Sequence, residues 1–400
     1  MAHYREVLGG VILGGGRGGT NMEPLTPYLD KPLIKLLGKP LIYYPTNNLI
    51  HLGLRTIYII SRDPAKVGNE VGRYFSNVSI ENVGQKGDDI DSALRMIYEI
   101  AGRGGTTIIS FGDVILPREA YELALSSHVN SGKPVTVLMT PLSDLQGYFE
   151  VQVDDAVVIN KVSEHKSGYA WTGILIAERE FLTSLHDFNG SINNALMRFR
   201  DNVNVALWSG WFVDVSYPWD LLSAIKYLMS DLREARISKD ADISSKAVIE
   251  GPVIVDEGAK VDHGAIIRGG PVYIGRNAYV GNNALIRNNT SLEEESVIGA
   301  DAEITESLIG YRATVGRGGS FIGSSIIGDE STIEPGVVTL NVLPSGVEVS
   351  HLSPVIVKGK QIAKLGAIVG PKARVGANSV IYPGSIIEHN KYIPPLSVLK

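Results

Sequence analysis

Residues Val11 to Pro32, VILGGGRGGTNMEPLTPYLDKP, hold the densest set of groups able to handle an anion. The apolar run Val11-Ile12-Leu13 reads as the end of a buried strand. It empties into Gly14, Gly15, Gly16, Gly18 and Gly19, interrupted by Arg17. Glycines placed after a strand allow positive φ and close backbone approach, so a row of N–H groups can turn toward a phosphate. Lys31, set between Asp30 and Pro32, adds a positive charge that can reach back, and Arg17 adds a second. Two common phosphate motifs do not fit. Gly14-x-Gly16-x-x-Gly19 has dinucleotide-loop spacing, but that loop needs a helix opening on its last glycine. Here Pro24, Pro27 and Pro32 follow, and each would cost a helix interior about 3 kcal/mol. Gly14 to Gly19 also has P-loop spacing, yet Thr20-Asn21 stands where Lys-Ser or Lys-Thr is required. An ordinary surface loop would explain the glycines but not the order Thr-x-x-x-Pro-Leu-Thr…Lys-Pro.

Asp113 is the second residue with chemistry in it. It follows Phe111-Gly112 at the carboxyl end of the apolar run Thr106 to Ser110. A carboxylate in that place is either a helix cap or a metal ligand. A cap needs a helix that starts at once, whereas Val114-Ile115-Leu116-Pro117 intervenes, which favours the ligand.

The elements that must position these residues alternate. Helices are expected from Pro40 to about Leu52, Pro64 to Phe75, Asp89 to Ala101 and Arg118 to Val129. Strands are expected at Thr56–Ser61, Val78–Ile80, Thr106–Ser110 and Val135–Met139. Such alternation predicts an α/β domain with a mixed, mostly parallel, Rossmann-like sheet and ligands at the strands' carboxyl ends. From Tyr148 the pattern turns antiparallel, with strands at Tyr148–Val153, Val157–Val162 and Tyr169–Ala177. After about residue 235 a repeat takes over. Aliphatic residues recur every sixth position: Ile243, Ile249, Val255, Val261 and Ile267; then Ile274 through Ile304; then Ile309, Val315, Phe321, Ile327 and Ile333; finally Val369 to Ile387. A period of six fits a parallel β-helix, each aliphatic side chain stacking inward on the one a coil below. The stretch from about Leu340 to Gln361 breaks the period and predicts an excursion. Two domains follow, 1–235 and 236–400.

Bulk properties narrow the function. The chain has 400 residues, net charge 37 − 43 = −6, 44% hydrophobic content and no cysteine. There is no basic footprint for nucleic acid, no disulfide or thiolate metal site, and no apolar run long enough for a membrane span. A cytoplasmic protein is expected.

The loop resembles the signature of sugar-1-phosphate nucleotidylyltransferases, which runs leucine, small residues, Gly-x-Gly-Thr-Arg-Leu-x-Pro-Leu-Thr, a spacer, then Pro-Lys-Pro. Here Gly18/Gly19-Thr20-Asn21-Met22-Glu23-Pro24-Leu25-Thr26, Asp30-Lys31-Pro32 and Gly38-Lys39-Pro40-Leu41 carry the likeness. The hexapeptide repeat resembles the left-handed β-helix of acyltransferases. Together the halves look most like the bifunctional N-acetylglucosamine-1-phosphate uridylyltransferase/glucosamine-1-phosphate acetyltransferase type.

The resemblance implies nucleotide transfer from UTP or dTTP to a glucose- or N-acetylglucosamine-type hexose 1-phosphate, releasing pyrophosphate. It assigns nucleotide contacts to Leu13, Gly14, Gly15, Gly16, Gly18, Gly19, Thr20 and Gly112, with Gln85 at the base edge. Asp113 would hold Mg2+. Gly210-Trp211-Phe212-Val213-Asp214-Val215 resembles the family's Gly-x-Trp-x-Asp-Ile-Gly, so Asp214 would be its second carboxylate. Lys31 and Arg17 would draw charge from the leaving group. Gly147, Glu164-His165-Lys166 and Trp171-Thr172 fall at sugar-phosphate positions. A homo-oligomer, a trimer or a multiple of it, would form through the β-helix.

This chain also departs from the family pattern. Asn21 replaces the signature arginine, His165 a lysine, Trp171 an asparagine and Ser216 a glycine, and Asp91-Ser92-Ala93 stands for a Gly-Thr pair. Arg317-Gly318-Gly319 occupies the place of the acetyltransferase histidine, and His351 lies in the excursion. The second half is therefore expected to serve mainly assembly. The alternatives are a non-catalytic nucleotide-sugar-binding regulatory subunit and, less favoured, mannose-1-phosphate guanylyltransferase or residual acetyltransferase activity.

Overall fold

The computed structural model describes residues 7–15, 19–27, 29–101, 105–160, 165–344, 352–353, 355–357 and 360–400. The chain forms two compact units. One comprises Met1–Arg17, Lys31–Leu33 and Pro40–Asp214, the other Gly18–Asp30, Ile34–Lys39 and Val215–Lys400.

In the first unit the elements run β1 (Val7–Leu13), α1 (Tyr43–His51), β2 (Thr56–Ser61), α2 (Pro64–Gly72), β3 (Ser79–Gly84), α3 (Ile90–Ala101), β4 (Thr106–Phe111), β5 (Val114–Ile115) and α4 (Arg118–Ser131). There follow β6 (Val135–Leu142), β7 (Glu150–Val153), β8 (Val157–Asn160), β9 (Gly168–Ala177), α5 (Arg179–Asp187), α6 (Ile192–Arg198), β10 (Val203–Leu207) and β11 (Val213–Asp214). β1 lies between β2 and β4, parallel to both, and β3 continues the parallel run beyond β2. Val11, Ile60 and Ile109 are fully buried in one core with Leu94 and Ile97 of α3. A central parallel strand covered on both faces reads as an unbroken apolar run, which is why β1 and β4 were visible as such. β9 adds the antiparallel part, pairing with β4, β6 and β7.

Local chemistry sets the helix ends. Asp63 Oδ1 accepts from Lys66 N at 2.9 Å and Pro64 takes the first turn of α2. Asp89 Oδ1 accepts from Ser92 N at 2.8 Å before α3. α1 begins at Tyr43, later than the expected Pro40, which instead lies in a short strand, Lys39–Pro40. Pro45 then falls in the first turn, where a missing N–H costs no intrahelical bond. The strand expected at Val78–Ile80 runs on to Gly84. Residues 161 and 162, expected in a strand, lie outside the described residues.

The second unit is a left-handed parallel β-helix of three eight-stranded sheets whose ladder starts at Arg236–Ile237. Val255, Ile274, Leu292, Ile309, Ile327, Val369 and Ile387 stack inward, at most 2% exposed. Apolar burial along this column is the main term holding coil to coil. One inward position differs from the expected frame. Ile322 is fully buried while Phe321 is half-buried. The corner Gly318-Gly319, at φ 76° and 78°, adds the residue that shifts the register. The excursion is present as two antiparallel pairs, Leu343–Pro344 with Leu352–Ser353 and Val355–Val357 with Lys360–Ile362. The ladder resumes directly, Ile327 opposite Val369. His351 lies outside the described residues.

Candidate active site

The first unit brings several of the expected residues to the carboxyl ends of β1 and β4. Gly14 N donates to Ile60 O at 2.8 Å, and Gly112 N donates to Leu13 O at 2.9 Å. A side chain at Gly112 would meet Gly14 Cα and Leu13 O, each at 3.2 Å. Gly112 therefore lets the chain ends of β1 and β4 touch, its N–H committed to that contact, while the Gly14 N–H is committed to β2. Over Gly15 lies Gln85, whose Oε1 would be 1.6 Å from an added Cβ. Gln85 Nε2 donates to Asp89 O at 3.0 Å and to Ser92 Oγ at 3.4 Å, so the start of α3 fixes the amide.

Lys31 and Asp113 meet. Lys31 Nζ is 2.6 Å from Asp113 Oδ2, with the side chains 7% and 22% exposed. Lys31 belongs to a single 3-10 turn, Lys31–Leu33, that is buried throughout. Asp113 is placed by β5, which pairs antiparallel with β11, Val114 opposite Asp214 and Ile115 opposite Val213. That pairing replaces the helix a cap would need; α4 starts only at Arg118. It also carries Asp214 to within one register step of Asp113, although the two are far apart in the chain.

The donor set suits a hard cation. Among the described residues no group of three or more His, Cys, Asp or Glu could hold a metal alone. Two carboxylates one register step apart in the backbone are oxygen donors of the kind a hard cation takes alongside phosphate oxygens and water. The Lys31 ammonium on Asp113 Oδ2 is itself a cation on that carboxylate.

The sugar-side residues divide. Gly147 has φ 88°. Trp171, 3% exposed, donates from Nε1 to Ile174 O at 2.9 Å and packs edge-on to Phe111 and Phe149, at 4.9 and 6.0 Å. Thr172 is fully buried and donates to Leu138 O at 2.9 Å. His165 and Lys166 are exposed. His165 Nδ1 lies 2.7 Å from Glu150 Oε1, and Glu150 is 4% exposed. Glu150 was missed in the sequence, where only its inward place on β7 signals it. Gly19 and Thr20 lie in a 3-10 turn, Gly19–Met22. Gly16, Arg17, Gly18 and Glu164 lie outside the described residues.

Comparison with known proteins gives the following likenesses. Residues 9–206 match the nucleotidyl transferase family, and residues 269–366 match the GMPPB C-terminal domain. A bifunctional sugar-1-phosphate nucleotidylyltransferase/acetyltransferase from Sulfurisphaera tokodaii is 28% identical over 393 residues, 93% of this chain and 92% of the relative. The bifunctional protein GlmU of Methanococcus aeolicus is 26% identical, over 96% of this chain and 92% of its own length. Among solved structures, a putative glucose-1-phosphate thymidylyltransferase from Bacillus anthracis is 21% identical with TM-score 0.49, covering 56% of this chain and 96% of that one. The matched segment, residues 9–206, is a nucleotidyl transferase family domain that carries Lys31 and Asp113, and Asp214 lies just beyond it.

Proposed function

We propose that the first unit transfers a nucleoside monophosphate from UTP or dTTP to a glucose- or N-acetylglucosamine-type hexose 1-phosphate. The observation that carries this reading is the Lys31–Asp113 pair at the junction of β1 and β4, with Asp214 one register step away. An oxygen of the sugar phosphate attacks the α-phosphorus in line, and the bond to the β-phosphate oxygen breaks, releasing pyrophosphate. The attacking group is already an anion at neutral pH, so no side chain has to remove a proton. Positioning and charge neutralisation remain as the chain's task. Lys31 shifts from Asp113 toward the leaving pyrophosphate, and Gly15 offers backbone toward the triphosphate. Gln85, held by Asp89 and Ser92, faces the base. Asp113 and Asp214 would hold Mg2+, which when bound neutralises charge on the α-phosphate and the incoming phosphate. His165 receives the sugar phosphate. Assembly through the β-helix into a homo-oligomer belongs to the same proposal.

Pyrophosphate release with UTP, dTTP and GTP, each paired with a panel of hexose 1-phosphates and Mg2+, tests the proposal. Turnover with a uridine or thymidine nucleotide is expected. GTP turnover with mannose 1-phosphate would move the specificity. Nucleotide binding without turnover on any pair would support the regulatory-subunit reading instead.

A further inference from the structure

In one sheet of the β-helix a buried carboxylate interrupts a run of glycines, the flanking coils carrying Asp256 and Glu388 at the same place. In the sheet that stacks Ile274, Leu292, Ile309, Ile327 and Val369, the next residue is Gly275, Gly310, Gly328 and Gly370 in four coils. At those positions an added Cβ would strike the neighbouring coil's backbone or a side chain from it at under 3.0 Å. In the Leu292 coil the residue is Glu293. It is 1% exposed, and its carboxylate is turned to the hairpin formed by Lys35–Leu36 and Lys39–Pro40.

The hairpin turn is Leu37-Gly38, at φ 52° and 72°, a pair of positive angles that aims successive N–H groups the same way. Glu293 Oε1 accepts from Leu37 N and Oε2 from Gly38 N, both at 2.8 Å. Ser291 Oγ donates to the same Oε1 at 2.6 Å and fixes the carboxylate's orientation. Further contacts bind the segment. Lys35 Nζ is 3.5 Å from Glu294 Oε2 and lies over the Tyr311 ring. A side chain at Gly38 would reach Tyr273 Oη at 2.2 Å, and that hydroxyl donates to Asp256 Oδ2 at 2.6 Å. A carboxylate withdrawn from water onto two backbone donors is a costly arrangement unless it holds something in place. What it holds starts at Lys35, two residues after Leu33, the end of the turn that carries Lys31.

We propose that Glu293 is a positioning residue for Lys31, clamping the Leu37–Gly38 turn through both carboxylate oxygens and so fixing the strand that follows Lys31–Leu33. The functional part of this inference rests on the role proposed for Lys31 above. The clamp makes a β-helix side chain a determinant of the nucleotidyl-transfer cradle through chain continuity alone.

The test uses the full chain with Glu293→Ala, Glu293→Gln and, as a milder perturbation, Ser291→Ala. Amide hydrogen exchange at Leu37 and Gly38 reads the clamp, and acylation of Lys31, followed by mass spectrometry, reads the consequence. In Glu293→Ala both amides should exchange on the order of ten- to a hundredfold faster. Lys31 should label at least about tenfold faster, while lysines distant from the hairpin keep their rates. Glu293→Gln keeps one acceptor and should fall between, and it carries the test if the alanine variant does not fold. Ser291→Ala removes only the bond that orients Oε1 and should speed both readouts by less than Glu293→Ala does. Where turnover is measurable, Glu293→Gln should lower kcat more than it raises KM for either substrate. Unchanged exchange at Leu37 and Gly38 overturns the clamp. Faster exchange with unchanged Lys31 labelling overturns the link to Lys31. Neither readout requires catalysis, so an inactive wild type would refute the proposed function and leave this inference to be decided by labelling.

Discussion

Asp113→Asn keeps the shape of the side chain and removes its charge, leaving Lys31 buried beside a neutral amide. The structure sets the size of the effect. At 2.6 Å and with both side chains largely covered, the gross attraction is about 6 kcal/mol at an effective dielectric of about 20. Breaking a buried pair by removing one partner costs about 3–5 kcal/mol net. Asp113 keeps some water contact, and Asn can still accept one bond, so a loss near 3 kcal/mol is expected. Lys31→Met should cost a similar amount, because it strands the carboxylate. The double variant strands neither charge, so it should be about 2–3 kcal/mol more stable than the sum of the two losses implies. Denaturant unfolding of the four proteins, followed by tryptophan fluorescence, gives this cycle. Turnover should meanwhile fall by roughly a thousandfold or more in each single variant. Additive stability losses, or an Asp113→Asn enzyme within tenfold of wild type, would refute the role given to the pair.

Other consequences follow from single sites. Gly15→Ala should push Gln85 off Asp89 and Ser92, raising the nucleoside triphosphate Kd about tenfold in calorimetry with stability changed by less than about 1 kcal/mol. Trp171→Ala empties a covered aromatic cluster and should lower stability by about 3–5 kcal/mol in thermal unfolding. Glu293 titrates with the fold. Burial raises its pKa from 4.5 to about 7, against the Ser291, Gly38 and Leu37 hydrogen bonds that lower it, with Asp329 raising it further. The native state therefore keeps a proton that the unfolded chain releases between those values. This contribution is full below about pH 4.5 and is lost as pH rises toward 7, about 3 kcal/mol in all. Unfolding at pH 5 and pH 8 should show wild type losing this increment and Glu293→Gln not losing it.

Periodicity made most of the fold legible. The aliphatic column of the β-helix and the apolar runs of β1, β2 and β4 are local signals, and the structure keeps them. Where the period slipped, at Phe321 and Ile322, the cause was a corner of two positive-φ glycines whose extra residue has no hydropathy signature. The late start of α1 reflects competition between a strand at Lys39–Pro40 and a helix that tolerates Pro45 in its first turn. Asp113 was readable because its place after a buried strand constrains its role. Asp214 needed a family motif, since its approach to Asp113 depends on a two-residue strand pair. Glu150 with His165, and Glu293 with the Leu37–Gly38 turn, join residues through contacts that no local pattern encodes. Glu293 did leave a trace in the sequence, as a carboxylate between Gly275 and Gly310 at the same place in successive coils.

The central claim is that the Lys31–Asp113–Asp214 cradle transfers a nucleotide to a sugar phosphate. Incubating the full chain with Mg2+, glucose 1-phosphate or N-acetylglucosamine 1-phosphate, and UTP or dTTP labelled at the α-phosphorus tests it most directly. The label is expected in a nucleotide-sugar in step with pyrophosphate, and Asp113→Asn should abolish both. Label remaining in the triphosphate with every sugar, while calorimetry shows the nucleotide bound, would contradict it.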